Sequence, residues 1–355
     1  MTDRLNTAAG SRTGTTLIVA VSLASGLLTS TGFPPLKVVA VNAAFAWAAV
    51  ARRRPVWRGL PVALAAGVVS VLHLAGVERL SVPGRGTVPA VLVQSEACSI
   101  RIAAEIHRRM PEGTRLAVWP EYATFEYADP GTPAFTELSR LAAASRCTLV
   151  AGCKESIPGE PEPAFFNAAL VFGPDGRRLG AYHKANPVPF FRDGTPGTRF
   201  PAFPTEAGRI GIAICYDADF PSVSRTLVRN GAEILVVPTF DAGWWTARQH
   251  DQHAALAALR AVENGRWMLR ATSSGVSQIL DPCGRDHGRI HNFEAGLVFG
   301  LVEPRRDRTP YGRIGWMIGP GSLLLALGIV GTLVWPDVRR RFRNWRTQAG
   351  TGAPA

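Results

Sequence analysis

The sequence predicts an α/β domain placed between apolar segments that are long enough to cross a membrane. Strand-like and helix-like stretches alternate between residues 87 and 302, which is typical of a single α/β domain. Long uncharged runs precede and follow this region. A chain of 355 residues has room for one large domain and for such flanking segments.

Apolar runs at residues 15–33, 59–77 and 314–335 contain no Asp, Glu, Lys or Arg. Each has the roughly 20 residues that a helix needs to cross the hydrocarbon layer. A fourth run, residues 34–51, is interrupted by Lys37 near one end. The alternative for all four is a buried core helix. We predict about three transmembrane helices within residues 1–80 and one at residues 313–336.

The arginine clusters predict the orientation of these helices. One cluster spans residues 52–58 and the other spans residues 339–346. With four spans both clusters lie on the cytoplasmic side, as the positive-inside rule expects. The domain at residues 86–306 is then extracytoplasmic, and residues 337–355 form a basic cytoplasmic tail. We therefore expect a multi-pass protein of the cell membrane. Because the charge sits beside apolar runs, the net charge of +12 does not indicate nucleic-acid binding.

Within the central region, apolar runs and turn residues predict the elements in order. A hairpin is expected around Gly173-Pro174-Asp175-Gly176. Helices are predicted at residues 100–110, 135–144, 222–230 and 250–264. Strands are predicted at residues 88–94, 115–119, 148–152, 166–172, 179–183, 209–214, 233–238, 267–272 and 277–280.

Cys215 directly follows the apolar strand predicted at residues 209–214. A thiol in this position lies at the carboxyl edge of the sheet, where ligands bind in α/β folds. The start of a following helix would favour the thiolate, the form that attacks carbon. The alternative is an inert buried cysteine. Since no Cys-x-x-Cys pair occurs among the five cysteines, the sequence does not predict a zinc site.

Glu121 and Lys184 also follow predicted strands. Glu121 follows Trp119-Pro120, so its carboxylate is expected at a sheet edge, where it could accept the proton of a thiol. The alternative is an exposed loop acid. Lys184 is one of only three lysines in the chain. Its compact ammonium suits stabilisation of a developing oxyanion.

Together these residues resemble the nitrilase, or carbon–nitrogen hydrolase, superfamily. The resemblance rests on a strand followed by Pro120-Glu121, on Tyr-x-Lys ending at Lys184 and on Gly-x-x-x-Cys-Tyr-Asp around Cys215. It implies an αββα sandwich with Glu121, Lys184 and Cys215 as catalytic residues, without metal or organic cofactor. Tyr216 and Asp217 are implied as neighbours that shape the site.

One branch of that superfamily, the apolipoprotein N-acyltransferases, is resembled more closely. The shared features are Val188-Pro189-Phe190, the stretch at residues 259–266 and Gly32-Phe33-Pro34-Pro35. This resemblance implies transfer of an acyl chain from phospholipid, through a cysteine thioester, to the terminal amine of a lipoprotein. The branch usually has Gly-Glu after Val-Pro-Phe, where this chain has Phe191 and Arg192. Asp193 is the candidate replacement for the glutamate.

Two other functions remain open at this stage. The first is a membrane-tethered amidase or nitrilase-like hydrolase that acts on small amides and uses water as the acceptor. The second is a binding module that keeps the fold without catalysis. Near the predicted long helix, Trp244, Trp245, His250 and His253 could line a substrate entrance, but we expect them to pack or to cap the helix.

Overall fold

The structure is a computed structural model that describes residues 86–96, 99–160, 164–189 and 191–317, with positions 320, 323–324, 335, 338–340 and 342–343. The chain divides into two compact units, residues 1–312 and 313–355. The runs at residues 15–33, 34–51 and 59–77 lie outside the described residues, and the run at 314–335 is described in part. Among the residues that are described, no helix combines the length and apolar character of a membrane span.

The described part of the first unit alternates strands and helices, which confirms the predicted α/β class. Its strands are β1 (Val88–Gln94), β2 (Leu116–Val118), β3 (Thr148–Ser156), β4 (Phe165–Phe172), β5 (Arg178–His183), β6 (Ala202–Thr205), β7 (Gly208–Ile212), β8 (Ile234–Thr239), β9 (Trp267–Thr272), β10 (Ser277–Leu280), β11 (Asp286–Ile290) and β12 (Gly296–Val302). Its helices are α1 (Ile100–His107), α2 (Pro133–Ser145), α3 (Pro221–Arg229) and α4 (Ala247–Asn264), with a 3-10 helix at Cys215–Asp219. Helix α5 (Pro310–Ile314) ends in the second unit, which also contains the 3-10 helix Gly315–Met317.

The strands form two six-stranded sheets. The first has the order β12-β1-β2-β3-β4-β5, and the second has the order β11-β10-β9-β8-β7-β6. Strands β1 to β3 are parallel in the first sheet, and β7 to β9 are parallel in the second. The predicted hairpin of β4 and β5 is antiparallel, pairing Ala168 with His183. Because parallel strands end at a common edge, each sheet gathers the residues that follow its strands.

The two sheets pack face to face between outer helices. Val118 and Val150 of the first sheet share one buried cluster with Ile212, Val236 and Leu269 of the second. Helices α1 and α2 cover the outer face of the first sheet, and α3 and α4 cover that of the second. This order of layers is the αββα sandwich that the family resemblance implies.

Three strands are absent from the sequence prediction, namely β6, β11 and β12. β6 has only four residues. β11 reads Asp-His-Gly-Arg-Ile, in which Ile290 is the one β-branched residue and no aromatic residue occurs. β12 is glycine-containing and pairs antiparallel with β1, from Val88 opposite Val302 to Gln94 opposite Gly296. Short length and weak strand propensity therefore account for the missed β6 and β11, whereas β12 has ordinary strand residues such as Val298, Phe299 and Val302.

Helix α4 begins earlier than predicted because of its cap. The Thr246 side chain accepts a hydrogen bond from Gln249 N at 3.3 Å, and Thr246 N donates to Gln249 Oε1 at 2.9 Å. This reciprocal capping box moves the start of the helix to Ala247. The helix ends at Gly265, whose φ of 62° lies in the left-handed region that favours glycine.

Candidate active site

Glu121, Lys184 and Cys215 follow strands of both sheets and meet at one cavity. Glu121 follows β2, Lys184 follows β5 and Cys215 follows β7. Their exposed fractions are 1%, 1% and 5%. All three line a cavity of about 200 Å³. The structure therefore brings together the three residues that the sequence singled out, although they lie up to 94 positions apart (215 minus 121).

The Glu121 carboxylate is held by three hydrogen bonds. Its Oε1 accepts from Lys184 Nζ at 2.8 Å and from Asn167 Nδ2 at 2.7 Å. Its Oε2 accepts from the backbone nitrogen of Phe240 at 2.7 Å. Charge-assisted bonds of this kind fix the orientation of a buried carboxylate. Glu121 is thus oriented by both sheets, since Asn167 lies on β4 and Phe240 follows β8.

The backbone at Glu121 passes unusually close to β3. Gly152 N donates to Pro120 O at 3.2 Å. A Cβ atom on Gly152 would lie 2.3 Å from Pro120 O and 2.5 Å from Glu121 Cα. Only glycine admits this approach. The next residue, Tyr122, has a φ of 50°, which is strained for a side chain of its size.

Lys184 lies between two carboxylates. Its Nζ is 2.8 Å from Glu121 Oε1 and 2.7 Å from Asp193 Oδ2. Burial acts to lower the pKa of Lys184, but the charges of Glu121 and Asp193 outweigh it and raise the pKa above its usual value. The ammonium is therefore protonated throughout the physiological pH range and can stabilise negative charge in the cavity.

The Asp193 carboxylate contacts the ammonium of Lys184, whereas the side chain of the neighbouring Arg192 is exposed. The Asp193 Oδ1 accepts from Tyr122 OH at 3.0 Å and from Asn167 Nδ2 at 2.7 Å, and its Oδ2 accepts from Val188 N at 2.8 Å. The Arg192 side chain is exposed and lines the cavity. The carboxylate one residue beyond the family position thus contacts the lysine, while a cation occupies the cavity mouth.

Cys215 stands at the first position of the 3-10 helix Cys215–Asp219 with a φ of 49°. Its Sγ is 4.0 Å from Phe240 O. Burial, followed by the charge of Glu121, raises the pKa of the Cys215 thiol well above its usual value, and Lys184 opposes this only in part. The expectation that a helix start would favour the thiolate is therefore wrong. A five-residue 3-10 helix supplies too small a dipole to offset burial.

Asp217 and Tyr216 follow the cysteine but differ in their contacts. The fully buried Asp217 carboxylate accepts hydrogen bonds from Tyr182 OH and from Asn186, each at 2.8 Å. The Tyr216 ring packs edge-on against Phe220 with 5.0 Å between ring centroids. Asp217 therefore stabilises the segment next to Cys215 through hydrogen bonds, whereas the Tyr216 side chain packs against Phe220.

Aromatic side chains form most of the cavity wall. The rings of Tyr122, Phe125, Phe240 and Trp244 follow one another with centroid distances between 5.3 and 6.3 Å. Trp244 and Trp245 line the cavity, so the expectation that they only pack or cap is wrong. The complete lining consists of Glu121, Tyr122, Phe125, Lys184, Val188, Phe191, Arg192, Asp193, Cys215, Phe240, Ala242, Trp244 and Trp245.

Sequence reasoning missed the roles of Asn167 and Phe240. Asn167 is a fully buried polar residue within the apolar strand β4, and that contrast is a usable signal. Phe240 contributes backbone atoms, for which its side chain gives no signal. Among the described residues, no group of three or more His, Cys, Asp or Glu side chains is arranged to hold a metal ion.

Residues 92–308 match the carbon–nitrogen hydrolase family. An apolipoprotein N-acyltransferase of Pseudomonas paraeruginosa is 27% identical over 299 residues, covering 76% of this chain and 57% of the relative. One from Geobacter metallireducens is 28% identical over 234 residues, covering 59% and 45%. The chain spans about half the length of these relatives.

Solved structures share the fold. A Saccharomyces cerevisiae member of branch 10 of the nitrilase superfamily has a TM-score of 0.55 at 23% identity, covering 63% of this chain and 93% of that one. An amidase from Nesterenkonia sp. has a TM-score of 0.53 at 21% identity, covering 66% and 97%. At this level of identity the likeness concerns the fold of the domain.

Proposed function

The chain belongs to the carbon–nitrogen hydrolase family of enzymes, and we propose that it is a membrane-anchored N-acyltransferase that works through a thioester on Cys215. The acyl donor is a phospholipid, and the acceptor is the N-terminal amine of a lipoprotein. The catalytic domain acts on the extracytoplasmic side. One observation carries the proposal: a carboxylate, an ammonium and a thiol, from Glu121, Lys184 and Cys215, face one small apolar cavity.

In the first half-reaction, Glu121 takes the proton of the Cys215 thiol. The sulfur then forms a bond to the carbonyl carbon of the donor ester, and the electron pair of the C=O bond moves to oxygen. The ammonium of Lys184 and the backbone N–H of Tyr216 hold this oxyanion. When the intermediate collapses, the C–O bond breaks and the departing alkoxide receives the proton from Glu121. The products are a lysophospholipid and an acyl-enzyme thioester.

In the second half-reaction, the acceptor amine attacks the thioester carbon and gives its proton to Glu121. The C–S bond then breaks, leaving the amide product and a thiolate that recovers the proton. The raised pKa of the Cys215 thiol fits this scheme, because the resting thiol is neutral until the base acts. The raised pKa of Lys184 keeps the oxyanion partner charged in both steps.

The character of the cavity supports an acyl donor with an anionic headgroup. Its walls are mainly aromatic and apolar, which suits an acyl chain. Exposed Phe191 and Trp244 extend the apolar surface outward, with exposed fractions of 67% and 75%. Arg192 lies beside them and can pair with a phosphate oxygen. An apolar wall with one cation at its mouth matches the two ends of a phospholipid.

The second candidate is a membrane-tethered hydrolase with water as the acceptor. The cavity volume favours it, since about 200 Å³ is below the roughly 300–1,000 Å³ of pockets that enclose larger ligands. In this case the donor is a small amide, and water takes the place of the amine.

The test is the intact mass of the purified full-length protein after incubation with a phospholipid that carries a single kind of acyl chain. We expect an adduct of one acyl group on the wild type and none on Cys215→Ala. Cys283→Ala is the matched control, because Cys283 is a half-buried thiol outside the cavity lining. An added lipopeptide with a free terminal amine should remove the adduct and gain the acyl mass.

The other outcomes separate the two candidates. An adduct with small amides or esters but none with phospholipid would favour the hydrolase. An adduct that survives on Cys215→Ala, or the absence of an adduct with every acyl donor, would overturn the mechanism.

A further inference from the structure

A buried charged cluster lies directly behind the cavity and is made of Asp241, His253 and Arg270. Asp241 Oδ2 is 2.7 Å from Arg270 Nη2, and Asp241 Oδ1 is 2.7 Å from His253 Nδ1. Arg270 Nη2 also lies 3.1 Å from His253 Nδ1. Asp241 is fully buried and Arg270 is 1% exposed. None of the three lines the cavity, so direct contact with substrate is not their role.

Ser273 holds the backbone on both sides of Phe240, next to the cluster. Thr239 O accepts from Ser273 N at 3.1 Å, and Asp241 O accepts from Ser273 Oγ at 2.8 Å. The backbone of Phe240 is therefore held on both sides, at residues 239 and 241. Arg270 is itself anchored, because its Nη1 donates to Val276 O at 2.6 Å.

The backbone of Gly275, in the segment after β9, packs directly against the Asp241 side chain. A Cβ atom on Gly275 would lie 1.9 Å from Asp241 Oδ2 and 2.7 Å from Asp241 Cβ. Glycine is therefore required at this position. The carboxylate has a single available place, between Arg270, His253 and the glycine backbone.

His253 also faces the helix that carries the cysteine. Its Nε2 is 3.6 Å from Asp219 Oδ1, at the last position of the 3-10 helix Cys215–Asp219. The same imidazole thus contacts the Phe240 segment through Asp241 and the Cys215 segment through Asp219. Phe240 in turn donates its N–H to Glu121 at 2.7 Å, and its carbonyl oxygen is 4.0 Å from Cys215 Sγ.

We propose that Asp241, His253 and Arg270 are positioning residues that hold the Phe240 backbone between Glu121 and Cys215, and so set the geometry of proton transfer from the thiol. This inference rests on the proposed role of Glu121 as the base. The cluster acts through Phe240: its N–H orients the carboxylate, and its C=O fixes the place of the sulfur. A buried ion pair adds little net stability, so a geometric role explains better why charged groups are kept here.

The contact between His253 and Asp241 can be separated from the contact with Asp219. An asparagine at position 253 places an amide N–H near the site of imidazole Nδ1, facing Asp241. A glutamine places its amide near the site of Nε2, facing Asp219. The proposal requires the Nδ1 donor, so His253→Asn should retain function and His253→Gln should lose it. Asp241→Asn should also lose function, since one acceptor oxygen becomes a donor that faces Arg270 or His253.

A second Asp–Arg–His trio, in which only the carboxylate is buried, provides the control. Asp281 is 2% exposed, with its Oδ2 2.7 Å from Arg285 Nε and 3.0 Å from His287 Nε2, in the turn after β10 and outside the cavity lining. Asp281→Asn removes a buried carboxylate charge that is likewise paired with an arginine and a histidine, although both of these partners are exposed. An effect that reflected only the loss of a buried charge would therefore appear in this variant too.

The experiment measures the rate of alkylation of Cys215 by iodoacetamide in the full-length protein, followed by the mass of the Cys215 peptide. The wild type, Glu121→Gln, Asp241→Asn, His253→Asn, His253→Gln and Asp281→Asn are compared, with urea unfolding in parallel. We expect a loss of roughly tenfold in Asp241→Asn and His253→Gln, which corresponds to one lost charge-assisted hydrogen bond. In Asp241→Asn this loss opposes the effect of charge, because the Asp241 carboxylate helps to raise the pKa of the Cys215 thiol and its removal alone would speed alkylation. His253→Asn and Asp281→Asn should stay near the wild-type rate.

Wild-type reactivity in Asp241→Asn, or equal losses in the two His253 variants, would overturn the proposal. Glu121→Gln separates this failure from failure of the proposed function. If Glu121→Gln slows alkylation but the cluster variants do not, only the positioning role is wrong. If Glu121→Gln leaves the rate unchanged, the assigned base is wrong and the positioning role is lost with it.

Discussion

The Asp217 carboxylate binds Asn186 twice, accepting a hydrogen bond from its backbone nitrogen and another from its side-chain amide, both at 2.8 Å. Asp217 belongs to the turn that carries Cys215, and Asn186 follows Lys184 by two residues. The same carboxylate accepts from Ile214 N at 3.2 Å, directly before the cysteine. One buried carboxylate therefore joins the segment of the ammonium to the segment of the thiol, across the two sheets.

Replacement of Asp217 by Asn should lower the rate of thioester formation by roughly 10- to 100-fold, because one of the two acceptor oxygens becomes an NH2 donor, one segment loses its acceptor, and small displacements of reacting groups are costly. Tyr182→Phe, which removes only the 2.8 Å bond from the Tyr182 hydroxyl, should have a smaller effect. The single-turnover rate of acyl-adduct formation measures both. Equal rates in Asp217→Asn and wild type would mean that the link is dispensable.

The charge balance at Lys184 leads to a prediction about pH. Asp193, 2.7 Å from the ammonium, helps to raise the pKa of Lys184 against the effect of burial. Asp193→Asn removes that charge, so the pKa of Lys184 should fall and the ammonium should lose its proton at lower pH. Because the pKa of Lys184 is raised above its usual range in the wild type, the decline of the acylation rate at high pH that loss of this proton causes should begin at lower pH in Asp193→Asn.

The measurement is the pH dependence of single-turnover acylation in wild type and Asp193→Asn. Tyr122→Phe is the control, because it removes the 3.0 Å hydrogen bond to Asp193 but leaves the carboxylate charge in place. A high-pH limb that moves equally in both variants would show that hydrogen bonding, rather than charge, sets the position of the limb.

The sequence predicts the site residues that directly follow an apolar strand. It does not predict the residues whose role depends on contacts with distant parts of the chain. Apolar strands ending at Glu121, Lys184 and Cys215 are visible locally, and the αββα layers follow from the alternation together with the family resemblance. The partners of Asp241 are 12 and 29 positions away, and no periodicity predicts such pairs. Phe240 is invisible for another reason: every non-proline residue has the N–H and C=O groups that it contributes.

The same limit explains the error about the Cys215 thiol. A helix start after a strand is visible in the sequence, and it predicts a favoured thiolate. The depth of burial is set by how the two sheets pack, and burial is the largest cause of the raised pKa of Cys215. Local pattern therefore located the cysteine, whereas tertiary packing determined its protonation.

Arg192 at the cavity mouth predicts a preference for anionic donors. Its side chain is exposed, while the adjacent Asp193 is engaged with Lys184. Arg192→Glu should raise the KM for phospholipid several-fold and leave the rate with a small neutral ester nearly unchanged, because only the phospholipid has a phosphate to repel. Since exposed charges are screened, the difference should shrink as salt is added.

Arg248→Glu is the matched control for Arg192→Glu. Arg248 is exposed near the start of α4 and does not line the cavity, so its variant has the same net charge without a change at the mouth. The measurement is the KM for phospholipid of both variants at low and at high salt. If the two variants raise KM equally, long-range charge is responsible and Arg192 has no local role.

His107 predicts how acid destabilises the domain. Trp119 Nε1 donates to His107 Nδ1 at 3.2 Å, and His107 Nε2 lies 3.1 Å from Ser145 Oγ. The imidazole must therefore be neutral at Nδ1, and its burial lowers the pKa of His107 from 6.5 to about 4. Protonation would place a second N–H against the indole donor of Trp119, two residues before Glu121.

The sign of the effect follows from linkage. Between pH 6.5 and about 4, the unfolded chain binds a proton at His107 that the folded chain does not. The contribution of this residue to stability is thus complete above pH 6.5 and is lost as the pH falls towards 4, with a total of about 3 kcal/mol. The free energy of unfolding should therefore fall over this window.

Urea unfolding followed by tryptophan fluorescence at a series of pH values measures that decline. His107→Gln keeps a neutral acceptor but cannot titrate, so its free energy of unfolding should vary less between pH 6.5 and 4 than that of the wild type. His291→Gln removes an exposed histidine and should retain the wild-type slope. If the slopes of His107→Gln and wild type are equal, the acid sensitivity arises from other groups, and the contact between Trp119 and His107 does not require a neutral ring.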